Sequence, residues 1–502
     1  MSNYLNNETS FYLNEYLNSV INWYPWGEEA LERAKREKKP IFLSIGYSGS
    51  QKCKVMKEES FITLNIANLL NQNFISIKVD RDERTDIDKY YKQIYKLMNG
   101  QNCSSPVSVF LSEDLEPFYS ASYIGTTPQG NVLDFETLLN TISQKYSEDK
   151  ETMTQKGEEV LSYINPRNES IEATRVHMDI TKTITTHALN LYDNVDGGFG
   201  DNSKFLNIST LDLLLDTYQI TQNQELLSMV LHTLKKMGNS EIYDSKDGGF
   251  FRYSSSKNWQ LPSVEKLSYD NANIASLYLK AYEITKDDFY KKIAFETLDF
   301  MIEKMSDNNN FYSNSIKKSD DSYFVDKKVV TSFSAMMIEA LFLASQYDNI
   351  YKSIATNTLE TILDKNYPNQ QLKHVHNINA FLEDYAYLGV ALLTAHDITK
   401  NSKYIILAEN ILNQAIERFY ENGRWRFANS DIPIYDDIYD LTYPSPMATI
   451  LLLAQQISSK IDSDYSQIIF KTIERNSYAL MRQPLSSPKM SKILLKYLKK
   501  MI

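Results

Sequence analysis

Lys39-Pro-Ile-Phe-Leu-Ser-Ile-Gly-Tyr-Ser-Gly-Ser-Gln-Lys-Cys53-Lys54 is the stretch on which the fold of the first third of the chain turns. Residues 26–39 before it are rich in Glu, Ala, Lys and Arg and read as an amphipathic helix. Pro40 stops that helix, because its ring leaves no N–H for the helical ladder. Residues 41–45 are a short apolar run of strand type. Residues 46–50 read as a turn, and a helical pattern follows from 53 to about 71. A thiol placed at a helix N-terminus is favoured as thiolate there, since the free N–H groups and the dipole attract negative charge.

Working outward, residues 74–79 alternate like a strand and residues 86–98 are helical. A polar loop, 100–105, leads to Pro106 and a third strand at 107–111. Residues 116–124 are its expected hairpin partner, and 134–146 close with a helix. Strands alternating with helices predict a sheet covered by helices. A strand that hands a Cys to a helix, followed later by a Pro at a strand start, is the thioredoxin plan. On that plan Pro106 is the candidate cis-proline facing the thiol.

The sequence resembles the thioredoxin-domain family to which the spermatogenesis-associated thioredoxin-like protein belongs. The matching stretches are Asn7-Glu-Thr-Ser10, Asn22-Trp-Tyr-Pro-Trp-Gly-Glu-Glu-Ala30, residues 39–48, Glu59-Ser-Phe61, Ser76-Ile-Lys-Val-Asp-Arg81 and the Pro106 strand. With the second half included, the resemblance covers nearly the whole chain. The departures are as informative. Where the family usually carries Cys-His-Trp-Cys-His, this chain has Ser50-Gln-Lys-Cys53-Lys54. The Gly-Gly-Trp-Pro loop of the family is Asn102-Cys-Ser-Ser-Pro106 here. A Ser hydroxyl cannot open a disulfide, because exchange needs a thiolate. Cys53 therefore reads either as a monothiol site, its pKa lowered by Lys52 and Lys54, or as a half-buried remnant. A switchable pair with Cys103 is a third reading, since the plan brings the two loops close.

From about residue 177 strand-like runs become rare and amphipathic helices dominate, as at 210–220, 271–284, 289–304, 332–346, 382–398 and 403–420. A loose repeat is visible. Tyr218-Gln-Ile-Thr-Gln-Asn223, Tyr282-Glu-Ile-Thr-Lys-Asp287 and His396-Asp-Ile-Thr-Lys-Asn401 each join two helices. Gly/Asn and aromatic segments such as Asp196-Gly-Gly-Phe199 and Asp247-Gly-Gly-Phe-Phe251 recur between them. About six helical hairpins fit, which suits a closed α/α toroid better than an open solenoid of shorter, more regular repeats. The predicted organisation is a multi-domain chain: an α/β thioredoxin-like domain over 1–165, then an all-α toroid over 166–502. Residues 151–174, containing Asn165-Pro166-Arg167, form the expected connection.

The resemblance implies that the toroid looks like the six-hairpin glycosidase and N-acylglucosamine epimerase barrels, which bind sugars where their loops gather. Sugar chemistry needs carboxylates for hydroxyls or acid–base work and flat rings to stack on C–H faces. Glu265, Asp270 and Asp384 are the catalytic candidates, and Arg252, Tyr253, Trp259, Asn271, Glu383 and Tyr385 the ligand-binding ones. Family blocks match at Gly249-Phe-Phe-Arg-Tyr-Ser254, at Glu265-Lys266 with Tyr269-Asp-Asn271, and at Phe381-Leu-Glu-Asp-Tyr-Ala386. The His that commonly precedes the Glu is missing, with Pro262-Ser-Val264 in its place. The bland alternative for these residues is that they cap loops and hold the toroid together. A third block is Asp436-Asp-Ile-Tyr-Asp440 with Tyr443-Pro-Ser-Pro446.

Composition narrows the rest. The 502 residues carry a net charge of −11 with no basic stripe, which argues against nucleic acid as the main partner. Two cysteines exclude a disulfide-stapled scaffold or a cysteine zinc module. His374-Val-His376 lacks a nearby third ligand in the sequence, so no metal is expected and the pair reads as an exposed loop. No phosphate loop or Gly-x-Ser-x-Gly elbow is present, and no cofactor is expected. No apolar run approaches a membrane span, and the N-terminus lacks a signal-peptide pattern, so a cytoplasmic protein is expected. Three functions follow as alternatives: a toroid binding a carbohydrate-like ligand beside a degenerate thioredoxin-like domain, a sugar epimerase or glycosidase, and a monothiol redox protein using Cys53. Protein partners and activity as an enzyme stay open.

Overall fold

The computed structural model describes residues 3–164, 173–430 and 432–501. The chain divides into two compact units, Met1–Glu169 and Ser170–Ile502. Asn165-Pro166-Arg167, and with them the expected domain boundary, lie outside the described residues.

The first unit is built on β1 (Trp23–Pro25), β2 (Ile41–Gly46), β3 (Ile75–Asp80), β4 (Val107–Leu111) and β5 (Pro117–Ala121). Their order in the sheet is β1-β3-β2-β4-β5, with β1 and β2 parallel to β3, and β4 antiparallel to β2 and β5. β2 and β3 are buried along their whole length, as central strands covered by helices on both faces should be. This is the thioredoxin arrangement expected from the sequence. Helices α1 (Glu28–Glu37), α2 (Gln51–Glu59), α3 (Leu64–Asn73), α4 (Thr85–Asn99), α5 (Phe135–Glu148) and α6 (Lys150–Ile164) surround it. The Ser105–Pro106 bond is cis.

Two expectations are corrected. The single helix over 53–71 is two, α2 and α3. The break falls where Phe61 turns into the aromatic core of Trp23, Phe42 and Phe135, and where the Ser60 hydroxyl donates to the Ile124 carbonyl at 2.8 Å. The polar connection from 151 is largely helix α6, whose Gly157 faces the backbone of Glu116 and Pro117, where a Cβ would come within 3.0 Å of the Glu116 carbonyl carbon.

The second unit consists of α7 (Ile180–Leu191), α8 (Ile208–Thr221), α9 (Gln224–Gly238), α10 (Ser268–Thr285), α11 (Asp288–Lys304), α12 (Thr331–Ala344), α13 (Ile350–Asn366), α14 (Leu382–Thr399), α15 (Ser402–Phe419), α16 (Pro446–Ser458), α17 (Ser466–Arg482) and α18 (Pro488–Met501). The even-numbered helices pack on one another in the order α8, α10, α12, α14, α16, α18, and α18 packs back on α8. The ring is therefore closed, and the odd-numbered helices form its outer layer. This is the α/α toroid.

The repeat seen in the sequence builds the short turns of the ring. Gln222, Lys286 and Lys400 end α8, α10 and α14 in the left-handed conformation, at φ 57°, 58° and 59°. Asn223, Asp287 and Asn401 then cap α9, α11 and α15, each accepting a backbone N–H two residues on. Thr221, Thr285 and Thr399 accept the N–H of those capping residues. The Ile-Thr-x-Asn/Asp signature is thus a helix stop and a helix start sharing one corner. Longer connections, carrying short strands, join each outer helix to the next inner one, so the long loops gather at the N-terminal ends of the inner helices.

Candidate functional site

In the thioredoxin-like unit, Ser50 is tied into the backbone on both sides. Its hydroxyl oxygen accepts the Cys53 N–H at 3.3 Å as the cap of α2, and the hydroxyl donates to the Ser105 carbonyl beside the cis bond at 3.3 Å. Cys53 is 3% exposed. Burial pushes its thiol pKa up, although Ser50 and the nearby Lys78 ammonium oppose that rise. Lys52 and Lys54 are exposed and do not supply the lowering expected of them. Cys103 is half-buried in different company, beside Lys92 and Asp88 of α4, and burial raises its pKa to about 12. Both cysteines are free. Neither has the depressed pKa of a reactive thiol.

Lys78, on β3, is the unusual group here. Its ammonium donates to the Ser44 hydroxyl at 2.9 Å and lies 4.3 to 5.2 Å from the ring centres of Tyr16, Phe61, Trp23 and Tyr12. Burial lowers its pKa to about 7.

In the toroid, most residues singled out from the sequence hold loops in place. Glu265 is buried and pairs with Arg252 at 3.2 Å. Asn271 accepts the Phe250 N–H at 2.7 Å and donates to the Phe250 and Leu267 carbonyls. Trp259 is buried and donates to the Asp196 carbonyl at 2.9 Å. Tyr253 packs on Phe205, and Tyr385 on Phe419. Asp270 lies half-buried in the first turn of α10. The Gly-Gly-Phe loops share one buried device. Lys204 donates to Asp193 at 2.7 Å and to the Gly197 carbonyl, and Lys266 does the same to Asp244 at 2.8 Å and to Gly248. Tight φ-positive glycines at 197 and 248 bring those carbonyls inward.

Glu383 and Asp384 are fully buried at the head of α14. Asp384 accepts the backbone N–H of Phe381 at 2.9 Å and of Ser332 at 3.0 Å, which ties α12 to α14. His374 is not on an exposed loop: it is fully buried, with Nδ1 2.9 Å from Asp384, while His376 is exposed. His374, Glu383 and Asp384 each offer one donor atom within 4.8 Å of the others. Those atoms already satisfy one another and the backbone, so the group reads as a latch. Glu383 also accepts the hydroxyl of Tyr443. The Tyr443 ring lies 5.3 Å from Tyr269, 5.9 Å from Phe333 and 6.1 Å from Tyr387. These residues lie in the first two turns of α10, α12 and α14, three successive inner helices, so Tyr443 packs on one side of the ring at the long-loop end.

Below it lies the toroid lumen, a cavity of about 370 Å³. Pro444, Ser209 and Lys489 line the end next to Tyr443; Asp212, Lys280, Glu339 and Lys492 line the middle. The other end is ringed by Gln219, Glu283, Gln346 and Tyr347, all exposed at the short-turn face. Lys280 donates to Asp212 at 2.5 Å and to Asp216; Lys492 pairs with the same two carboxylates. These two lysines hold Asp212 well below the usual carboxylate range. Across the lumen, burial raises the pKa of Glu339. Burial and the neighbouring Lys492 lower that of Lys489. Burial also lifts Asp440, which accepts the N–H groups of Ser445 and Lys489, to about 6.

None of the candidate catalytic or ligand-binding residues chosen from the sequence lines this cavity; of the third block, Pro444 does. The signal that finds its walls is a charge set among apolar residues of a helix: Leu211-Asp-Leu-Leu-Leu-Asp216, Met337-Ile-Glu-Ala-Leu341 and Lys489-Met-Ser-Lys-Ile-Leu-Leu-Lys496.

Comparison with known proteins follows the same division. Residues 2–165 match the family described as Thioredox_DsbH, protein of unknown function, DUF255. The match takes in the N-terminal unit and none of the toroid. The chain is also similar to protein B0495.5 of Caenorhabditis elegans, 34% identical over 340 residues, covering 66% of this chain and 46% of that protein. It is similar to spermatogenesis-associated protein 20 of Rattus norvegicus and of Homo sapiens, 34% identical in each case, covering 62% of this chain and 41% of theirs. The chain thus spans less than half the length of the curated relatives it matches. Among solved structures, a D-mannose isomerase aligns with a TM-score of 0.52 at 12% identity, over 64% of this chain and 100% of that one. A GH76 α-mannanase from Bacteroides thetaiotaomicron aligns with a TM-score of 0.50 at 14% identity, over 65% and 96%. At such identities the likeness is one of fold. No helix among the described residues is long and apolar enough to cross a membrane.

Proposed function

We propose that the toroid binds a small carbohydrate-like molecule in its lumen, beside a thioredoxin-like domain whose SxxC motif no longer exchanges disulfides. The observation that carries this reading is the lumen itself: about 370 Å³, lined by acid, amine, amide and hydroxyl groups in a closed ring. That volume lies within the roughly 300–1,000 Å³ of small-molecule sites. Convergent hydrogen-bonding groups of both signs suit a polyhydroxylated ligand. The D-mannose isomerase and the mannanase, which share the fold, act on sugars by their names, and this supports the same class here. The site moves from the long-loop residues Glu265, Asp270 and Asp384 to the inward faces of α8, α10, α12 and α18.

A second reading, a sugar epimerase or glycosidase-type enzyme, draws on Glu339 and Lys489. One half-buried acid with a raised pKa and one amine with a lowered pKa in the same lumen form the kind of pair that serves acid–base catalysis. The monothiol reading has no comparable support. A cytoplasmic location belongs to the same proposal and is tested by cell fractionation.

The test is titration calorimetry of the full chain with neutral and acidic monosaccharides, each checked for turnover by NMR. Leu343→Trp, at the open end of the lumen, should abolish binding. Heat of binding that persists undiminished in that variant would place the ligand elsewhere, and no binding across the panel would refute the proposal.

A further inference from the structure

We infer that the ligand of the lumen is a sugar acid, its carboxylate held by Lys489 and a hydroxyl held by Glu339. This rests on the reading that the lumen takes a carbohydrate-like molecule. In the ring order α8, α10, α12, α14, α16, α18, helices α12 and α18 stand three places apart. Glu339 and Lys489 therefore face the cavity from opposite walls.

The charges around them are unevenly spent. Asp212 and Asp216 are both engaged by Lys280 and Lys492 on one side of the ring. Among the described residues, Lys489 has no ion-pair partner and neither has Glu339. The charged groups that act on Lys489 are Lys492, Glu339, Asp212 and Asp440. Those that act on Glu339 are Lys489, Lys492, Asp212 and Lys496. The two unmatched charges thus feel each other across open space without touching.

That arrangement discriminates between ligands. A half-buried ammonium without a counter-charge is unfavourable, and a ligand carboxylate would supply one through a charge-assisted hydrogen bond. The Glu339 carboxyl accepts from a hydroxyl. A neutral sugar satisfies Glu339 and leaves Lys489 unmatched; a simple acid such as acetate does the reverse. A polyhydroxylated acid meets both walls at once. No covalent step is involved.

The experiment is calorimetry on the full chain with paired probes: glucose with glucuronate, galactose with galacturonate, mannose with mannuronate, and acetate alone. At least one uronate should bind tenfold or more tightly than its parent hexose, the margin of a charge-assisted contact. Lys489→Met should weaken the uronate far more than the hexose and so erase the margin, and Glu339→Gln should weaken both members of the pair. Uronate binding should also weaken with added salt in the unaltered protein, which keeps the test open if Lys489→Met does not fold. Equal affinity for acid and hexose, or a margin that survives Lys489→Met, overturns the inference and leaves the sugar-binding reading standing. Failure of every probe overturns that reading and the inference with it.

Discussion

Replacing Lys78 by Met should stabilise the thioredoxin-like unit. The Lys78 ammonium is buried on β3 with one hydrogen-bond acceptor, the Ser44 hydroxyl, and its pKa falls from 10.5 to about 7. A shift of that size corresponds to about 5 kcal/mol of penalty on the charged form, at about 1.4 kcal/mol per unit. The four surrounding rings return about 2 kcal/mol of that through attraction of the cation. Met keeps the unbranched stem and a soft sulfur suits the rings. Leaving Ser44 without its partner costs about 1 kcal/mol. The variant should therefore gain about 2 kcal/mol at pH 7.

The pH dependence gives a second signature. Below pH 7 folded and unfolded chains both hold the Lys78 proton, and the penalty is present in full. Between pH 7 and 10.5 the folded state releases the proton first, so the unfolded state binds more and stability rises with pH. From pH 7 to 8.5 the unaltered protein should gain stability that Lys78→Met does not. Urea-dependent pulse proteolysis, followed by mass spectrometry of peptides from residues 41–80, reads this unit separately from the toroid. A variant no more stable than the parent, with the same slope against pH, would refute the reasoning and mean that the rings fully offset burial.

Other outcomes follow from the same geometry. Cys53 should alkylate far more slowly than a free thiol at pH 8 in the folded protein, and Cys103 faster than Cys53, as followed by mass spectrometry of the two peptides; rapid labelling of Cys53 would restore the monothiol reading. Gly46→Ala should cost about 1–3 kcal/mol, because its Cβ would stand 2.3 Å from the Tyr12 hydroxyl and 2.6 Å from the Cys53 sulfur. Asn271→Ala should cost about 2–4 kcal/mol in urea unfolding by orphaning three backbone groups, and the affinity of the folded variant for any lumen ligand should not change. A lost affinity at full stability would return Asn271 to the binding site.

Much of the architecture was legible in the linear chain because it rests on local physics. The alternation of short apolar runs with amphipathic stretches specified the first sheet, and Pro106 at a strand start marked the cis position. The Ile-Thr-x-Asn/Asp corners marked hairpins, since a left-handed stop and a side-chain cap are written in adjacent residues. The break at residues 60–63 was not legible, because Phe61 leaves the helix to fill a core whose other members lie as far away as Phe135.

The lining of the toroid lumen was hidden for a different reason. Glu265, Asn271 and Asp384 have the residue types of a sugar site, yet a carboxylate or amide caps a loop as readily as it binds a hydroxyl. Only the partners decide, and here these are Arg252, the Phe250 backbone and the N–H groups of Phe381 and Ser332. Asp212, Lys280, Glu339 and Lys489 each sit on a separate helix, far apart in sequence. A charge on a helix face is solvated in an open array and enclosed in a closed one. Sequence by itself determined the two folds. Closure of α18 on α8 decided which charges face a common lumen, because ring closure is a property of all six inner helices and of no one segment.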